Sequence, residues 1–325
     1  MKIRFNIQFK TQWGESMHLL RHTSPQSGAD SFVDYEMQCN DKSDWTVEIS
    51  VDNSDFVSYQ YAIQTVNKLF IYEYGGVRTV NFPMHNETVN IQDNWRASYG
   101  DSPFKTAAFS DCFFKRVPKA SIEKNEGNLV LSINCPQMEP NRHFAIVGNQ
   151  DALGNWEVTN KVRLDESQYP IWSITLDVNK INFPLEYKYL IVDTTTDEVL
   201  AWGGGPNRLV RNADKEALTV VNDEHFIRLI PSWKGAGVAI PVFSLRSEDG
   251  FGVGEFNDLK KMVDWAKKTG QRIIQTLPIN DTILYHTNYD SYPYNAVSVY
   301  ALHPIYLHLD KIGKLKTKAQ KEYFQ

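Results

Sequence analysis

Apolar and polar residues alternate with a period of two over much of the chain, the spacing of half-buried strands. Ile3, Phe5, Ile7 and Phe9 fall on one face, and Lys2, Arg4, Asn6 and Gln8 on the other. Trp45, Val47, Ile49 and Val51 share a face, a strand follows over Val57–Ile63, and Leu69–Tyr72 to Val77–Val80 reads as a hairpin. The alternation returns at Ile171–Leu176, where Trp172, Ile174 and Leu176 coincide, and at Leu185–Leu190, where Lys188 lies opposite Tyr187 and Tyr189. Trp156 follows a Gly-Asn turn and Trp202 precedes three glycines, which places both indoles near turns. After Pro231 the texture changes. Gly237–Pro241 is a short apolar run, and a glycine-rich loop over 248–254 then leads to Phe256, Leu259, Met262, Val263 and Ala266 at helical spacing. Gly270 suits the end of that helix, and Arg272–Ile279 supplies a second apolar strand, so the pattern predicts a βαβ unit.

These elements predict a multidomain chain: an all-β sandwich over residues 1–104, a junction over 105–126, a second sandwich over 127–226, and the first βα units of a larger α/β domain over 227–325. The two sandwiches read as a diverged internal repeat. Tyr59-Gln60-Tyr61 stands where the other copy has Tyr187-Lys188-Tyr189, and Tyr72 falls near the place of Trp202. The turn carrying Trp156 has no counterpart in the first copy, where Ser24–Asp30 is only a polar loop. Trp13 fits either an exposed turn or the core. In the junction, Lys115–Lys119 and Glu123–Gly127 read as solvated, while Phe113 and Phe114 read as docking on a neighbour.

Charge and cysteine use narrow the chemistry. At 325 residues and a formal charge of −5, with no basic block, nucleic acid is a poor partner. No stretch approaches the roughly 18 apolar residues of a membrane span. Cys39, Cys112 and Cys135 have no C-x-x-C spacing and the histidines form no ligand set, so neither a disulfide framework, a metal nor a cofactor is expected. A reducing, cytoplasmic setting follows from the scarce cysteine and from a start that alternates rather than forming an apolar signal core. The Gly250-x-Gly252-x-Gly254 run lacks the spacing of a phosphate loop and reads as a tight strand-to-helix connection. What remains is stacking. The flat faces of pyranose rings carry slightly positive C–H groups that suit an indole, and their hydroxyls need donors and acceptors such as a lysine and an amide. Each tryptophan taken singly also fits the core.

The order of four motifs sharpens the choice. Leu153-Gly154-Asn155-Trp156, Tyr169-Pro170-Ile171-Trp172, Glu186-Tyr187-Lys188-Tyr189 and Trp202-x3-Pro206-Asn207-Arg208 together resemble the family 20 starch-binding modules. That resemblance implies a first glucan site at Trp156, Lys188, Trp202 and Asn207, and part of a second at Tyr169 and Trp172. A further tyrosine usual in the second site is not evident, and Pro140 stands near its place. The third segment resembles the family 77 4-α-glucanotransferases, or amylomaltases. The matching pieces are Phe243–Ser247, Gly252–Phe256, Leu277–Thr282 and Ser291–Pro304. The resemblance implies an incomplete TIM (β/α)8 barrel, with Tyr294 contacting the glucose ring next to the scissile bond. Expected partners are starch, glycogen-like glucans or malto-oligosaccharides. The family's retaining mechanism uses two carboxylates about 5 Å apart, which in the family lie on later strands. Asp249, Asp281 and Asp290 are not assigned to that role, so this chain alone is expected to be inactive. The competing expectation is a non-catalytic starch-targeting scaffold.

Overall fold

A computed structural model describes residues 1–23, 31–40, 43–52, 56–82, 87–97, 102–106, 108–117, 127–223, 234–314 and 316–323. The polar loop expected at Ser24–Asp30, and the junction residues 118–126, lie outside them. The chain divides into two compact units, Met1–Ser232 and Trp233–Gln325.

The first unit holds both sandwiches. Its first half runs β1 (Lys2–Gln8), β2 (Ser16–His22), β3 (Phe32–Glu36), β4 (Gln38–Cys39), β5 (Asp44–Ser50), β6 (Phe56–Gln64), β7 (Phe70–Tyr72), β8 (Arg78–Asn81) and β9 (Thr88–Asn94). Its second half runs β10 (Leu129–Asn134), β11 (Arg142–Gly148), β12 (Val162–Arg163), β13 (Ile171–Leu176), β14 (Leu185–Asp193), β15 (Val199–Trp202), β16 (Arg208–Val210) and β17 (Leu218–Asp223). The strand pairing repeats. β1 lies between β5 and a parallel β9, as β10 lies between β13 and a parallel β17. β6 pairs with β2, β7 and β8, as β14 pairs with β11, β15 and β16.

The two halves share one sheet. Seven strands run in the order β13-β10-β17-β9-β1-β5-β4, because β17 pairs in parallel with both β10 and β9. Strand side chains alternate between faces, and β17 divides its residues accordingly. Leu218 and Val220 join the core of Ile3, Phe5, Tyr59 and Ile91. Val221 joins the core of Leu131, Phe144, Trp172 and Tyr189. The sheet β3-β2-β6-β7 therefore covers one face of the shared sheet and β12-β11-β14-β15 covers the opposite face. A strand that feeds two cores is buried at successive positions, Leu218 to Val221, rather than at alternate ones.

Each core contains the same polar insert. Tyr59 and Tyr61 both donate to Asp93 (2.7 and 2.9 Å), which also accepts from Arg78 (3.1 Å). Tyr187 and Tyr189 donate to Asp223 (2.6 and 2.9 Å), and Arg208 pairs with it at 2.7 Å. Both tyrosine pairs cross edge to face, with centroids 5.7 Å apart. Burial, and then the neighbouring carboxylate, push all four phenols well above their usual range.

The junction is less solvated than its composition predicts. Phe104 and Phe113 both pack on Phe109, and Phe104 also meets Phe114. Lys115 and Val117 are exposed, but Arg116 is not. Its guanidinium pairs with Glu166 (2.7 Å), donates to the Arg142 carbonyl (2.8 Å) and lies 5.0 Å over the Trp172 ring. Trp13, left open by the sequence, stands almost fully exposed on its turn.

In the second unit β18 (Gly237–Ile240) and β19 (Ile273–Thr276) pair in parallel, joined through α1 (Phe256–Lys268), the βαβ unit predicted. The glycine loop closes tightly: a Cβ on Gly254 would meet the Val242 carbonyl at 1.8 Å. Glu255 and Asp258 then form a capping box at the start of α1.

Candidate functional site

The candidate site grows from β14. Tyr187, Tyr189 and Ile191 point into the core, so Glu186, Lys188 and Leu190 point out. Val147 and Ala145 of β11 stand across from Lys188 and Leu190, and Trp202 of β15 stands across Leu190 from the other side. Ala145, Val147, Leu190 and Val192 make a small apolar patch on this outer face, and Trp156 packs against it. Trp156 is thus half-buried and Trp202 39% exposed, which places neither in the core.

The turn that delivers Trp156 is strained. Gly154, Asn155 and Trp156 have φ of 74°, 50° and 64° in succession. An aromatic residue in the left-handed region is an outlier that the surroundings must hold in place. Leu153 is buried beneath the turn, Asn155 donates to the Asp151 carboxylate, and Gly154 sits where a Cβ would lie 2.4 Å from the Asn160 carbonyl. Asn149 braces the neighbouring edge by accepting from the Glu186 amide (3.0 Å) and donating to the Pro184 carbonyl (3.1 Å).

Asn207 donates to the Glu186 carboxylate at 3.2 Å. The outer face therefore presents two indoles, an ammonium, a carboxylate and an amide, a set able to stack on a sugar ring and bond its edge. Glu186 was not singled out from the sequence, although its place two residues before Lys188 puts both on one face.

The second site fares differently. Trp172 is fully buried, donates its indole N–H to the Cys135 carbonyl (3.1 Å) and packs on Phe144, so it is core and not a sugar contact. Tyr169 is partly buried, and its hydroxyl lies 2.5 Å from both the Phe114 and the Pro136 carbonyls, either of which can accept its proton. Burial raises that phenol to about 12. The junction occupies this position through Phe114 and Arg116.

In the first sandwich Tyr72 pairs across from Ala62, as Trp202 pairs across from Leu190, and Gln60 takes the place of Lys188. Tyr72 is half-exposed and packs on Phe70 at 6.2 Å. In the second unit Tyr285, Tyr289, Tyr292 and Tyr294 surround a cavity of about 610 Å³, and Tyr292 and Tyr294 lie 5.4 Å apart. Asp290 accepts from the amides of Tyr285 (3.1 Å) and Thr287 (3.2 Å) and so organises this loop. Burial opposes its charge, but those backbone donors outweigh it and hold the carboxyl below its ordinary value. Asp249 pairs with Lys261 at 2.5 Å.

Known families match in the same order. Residues 129–221 match the model described as starch binding domain, and residues 240–325 the model for 4-alpha-glucanotransferase. The 4-alpha-glucanotransferase DPE2 of Oryza sativa subsp. japonica is 31% identical over 331 residues, which is 95% of this chain. The chain is similar to a 4-alpha-glucanotransferase over nearly all of its own length. It spans 34% of the rice protein's length. The 4-alpha-glucanotransferase of Chlamydia caviae is 45% identical over 27% of this chain and 17% of its own. Among solved structures, the family 20 module of a maltotetraose-forming amylase from Pseudomonas saccharophila is 28% identical, covering 29% of this chain and 97% of its own, with a TM-score of 0.24. No helix among the described residues is long and apolar enough to cross a membrane.

Proposed function

We propose that this chain is the glucan-binding front of a cytoplasmic 4-α-glucanotransferase that acts on starch, glycogen-like glucans or malto-oligosaccharides. The second sandwich, residues 127–226, holds α-1,4-glucan on its outer face. Trp156 and Trp202 stack on glucose rings while Lys188, Glu186 and Asn207 bond the hydroxyls. The single observation that supports this best is that Trp156, Lys188 and Trp202, scattered over 47 residues of sequence, reach one face of one sheet. The first sandwich is a diverged copy of the same module, with Tyr72 where the other carries its second indole. The segment from 227 is the opening of a (β/α)8 domain in which Tyr294 meets the substrate.

The transfer chemistry is assigned to carboxylates in the part of the relatives that this chain does not span. A retaining exchange needs a nucleophile and an acid/base about 5 Å apart. Asp249 and Asp290 are already committed to Lys261 and to backbone amides. The binding assignment is tested by retention on starch or β-cyclodextrin. Trp156→Ala and Trp202→Ala are each expected to lose about 2 kcal/mol with unchanged circular dichroism. Normal retention by both variants would overturn the site.

A further inference from the structure

The shared sheet leaves a second surface that the stacking site does not use. Where β1, β5 and β9 turn their polar side away from the first core, they form the floor of a groove of about 870 Å³. That volume lies within the roughly 300–1,000 Å³ of ligand clefts. β16 and the chain after it, through Leu209, Arg211, Asn212 and Asp214, line its side. β14 separates this groove from the stacking face, because Lys188 points to one and Tyr187 lines the other.

The floor is a set of amides and hydroxyls in cross-strand rows. Thr46, Asn6 and Gln92 make one row, Asp44, Gln8 and Asn94 the next. Arg4, Asn90 and Thr219 make a third. A solvated strand face is ordinarily depleted in asparagine, so three of them here ask for a reason. Among the described residues, the side chains of Gln8, Asn90 and Gln92 have no hydrogen-bond partner. Thr219 lines the same floor, but it is 1% exposed and its hydroxyl is out of a ligand's reach, so the three amides carry the recognition. Arg4 is committed to Glu48 (3.0 Å) and Arg208 to Asp223 (2.7 Å). Arg211 is left against Asp44 and Asp214, so the groove has no cationic excess to attract an anion. Amides that both donate and accept match hydroxyls, which do the same.

We propose that this groove between the sandwiches is a further binding site for a neutral, hydroxyl-rich chain, a run of α-linked glucose held edge-on by Gln8, Asn90 and Gln92 rather than stacked on rings. The choice of glucose as the sugar rests on the glucan reading above. A chain held here and on the stacking face would be gripped on both sides of the β14 sheet.

The test is titration of the unmodified 325-residue protein with maltoheptaose, following side-chain NH2 resonances and indole N–H resonances by NMR. The NH2 signals of Asn90, Gln92 and Gln8 are expected to shift with saturation, together with the indoles of Trp156 and Trp202. The amide shifts are expected to persist in Trp156→Ala/Trp202→Ala, and the response to weaken at least fivefold in Asn90→Leu/Gln92→Leu. Indole shifts without amide shifts, at up to about 20 mM sugar and so beyond millimolar affinities, overturn the groove and leave the stacking site standing. Absence of both sets of shifts overturns the glucan reading itself. Equal amide shifts with sorbitol at matched hydroxyl concentration would also overturn a specific site.

Discussion

Asn222 donates a hydrogen bond to the Asp93 carboxylate at 2.8 Å, joining β17 of one sandwich to the buried tyrosine network of the other. Ser132 in turn donates to the Asn222 side chain at 2.8 Å. The seam between the repeats is therefore a continuous ladder with side-chain bonds along it, not a flexible tether. Removing Asp93 strands Tyr59 and Tyr61 in an apolar core and takes from Arg78 one of its carboxylate partners. Asp93→Ala is expected to cost about 3 kcal/mol in urea denaturation. Because β17 belongs to both cores, hydrogen exchange is expected to rise in β10 and β14 as well as in β6.

Trp172 separates a core role from a binding role. Trp172→Ala removes a fully buried ring and the bond to the Cys135 carbonyl, and is expected to cost about 3–5 kcal/mol. Trp172→Phe keeps most of the packing, and it is expected to bind starch as the parent does. A binding loss in Trp172→Phe with an unchanged denaturation midpoint would return Trp172 to the ligand surface.

Much of this was legible in the chain. The alternation at Ile171–Leu176 already set Trp172 among core residues, and only the family resemblance drew it towards the surface. The Tyr-x-Tyr pairs were visible as repeats. Their partners were not, since Asp93 and Asp223 come from strands about thirty residues further on and no local period connects them. Glu186 was legible by the same two-residue period that placed Lys188. The burial of Arg116 had no sequence signal, because a basic residue between lysines reads as solvated until Glu166 and an aromatic face are brought beneath it.

Gly154 fixes where the first indole points. Any side chain there adopts an unfavourable φ of 74° and collides with the Asn160 carbonyl. Gly154→Ala is expected to lower stability by about 1–3 kcal/mol and to weaken starch retention more than that loss explains, since the turn must move Trp156. Unchanged retention would show that the indole position does not depend on the turn.

His143 gives the fold a pH dependence of known sign. Burial, then the Arg163 guanidinium, lower its pKa from 6.5 to about 4, with Asp197 opposing and Arg116 and Lys161 adding to the effect. The unfolded chain therefore binds a proton at a higher pH than the folded one, so the unfolded state gains as pH falls from 6.5 towards 4. The stabilisation is complete above the unfolded value and is lost across that window. His143→Leu places an apolar side chain on the outer face beside Val192 and removes the titration. Between pH 7 and 4.5 the parent's urea midpoint is expected to fall further than the variant's. Equal losses in the two proteins would mean that the imidazole is protonated as readily in the fold as out of it.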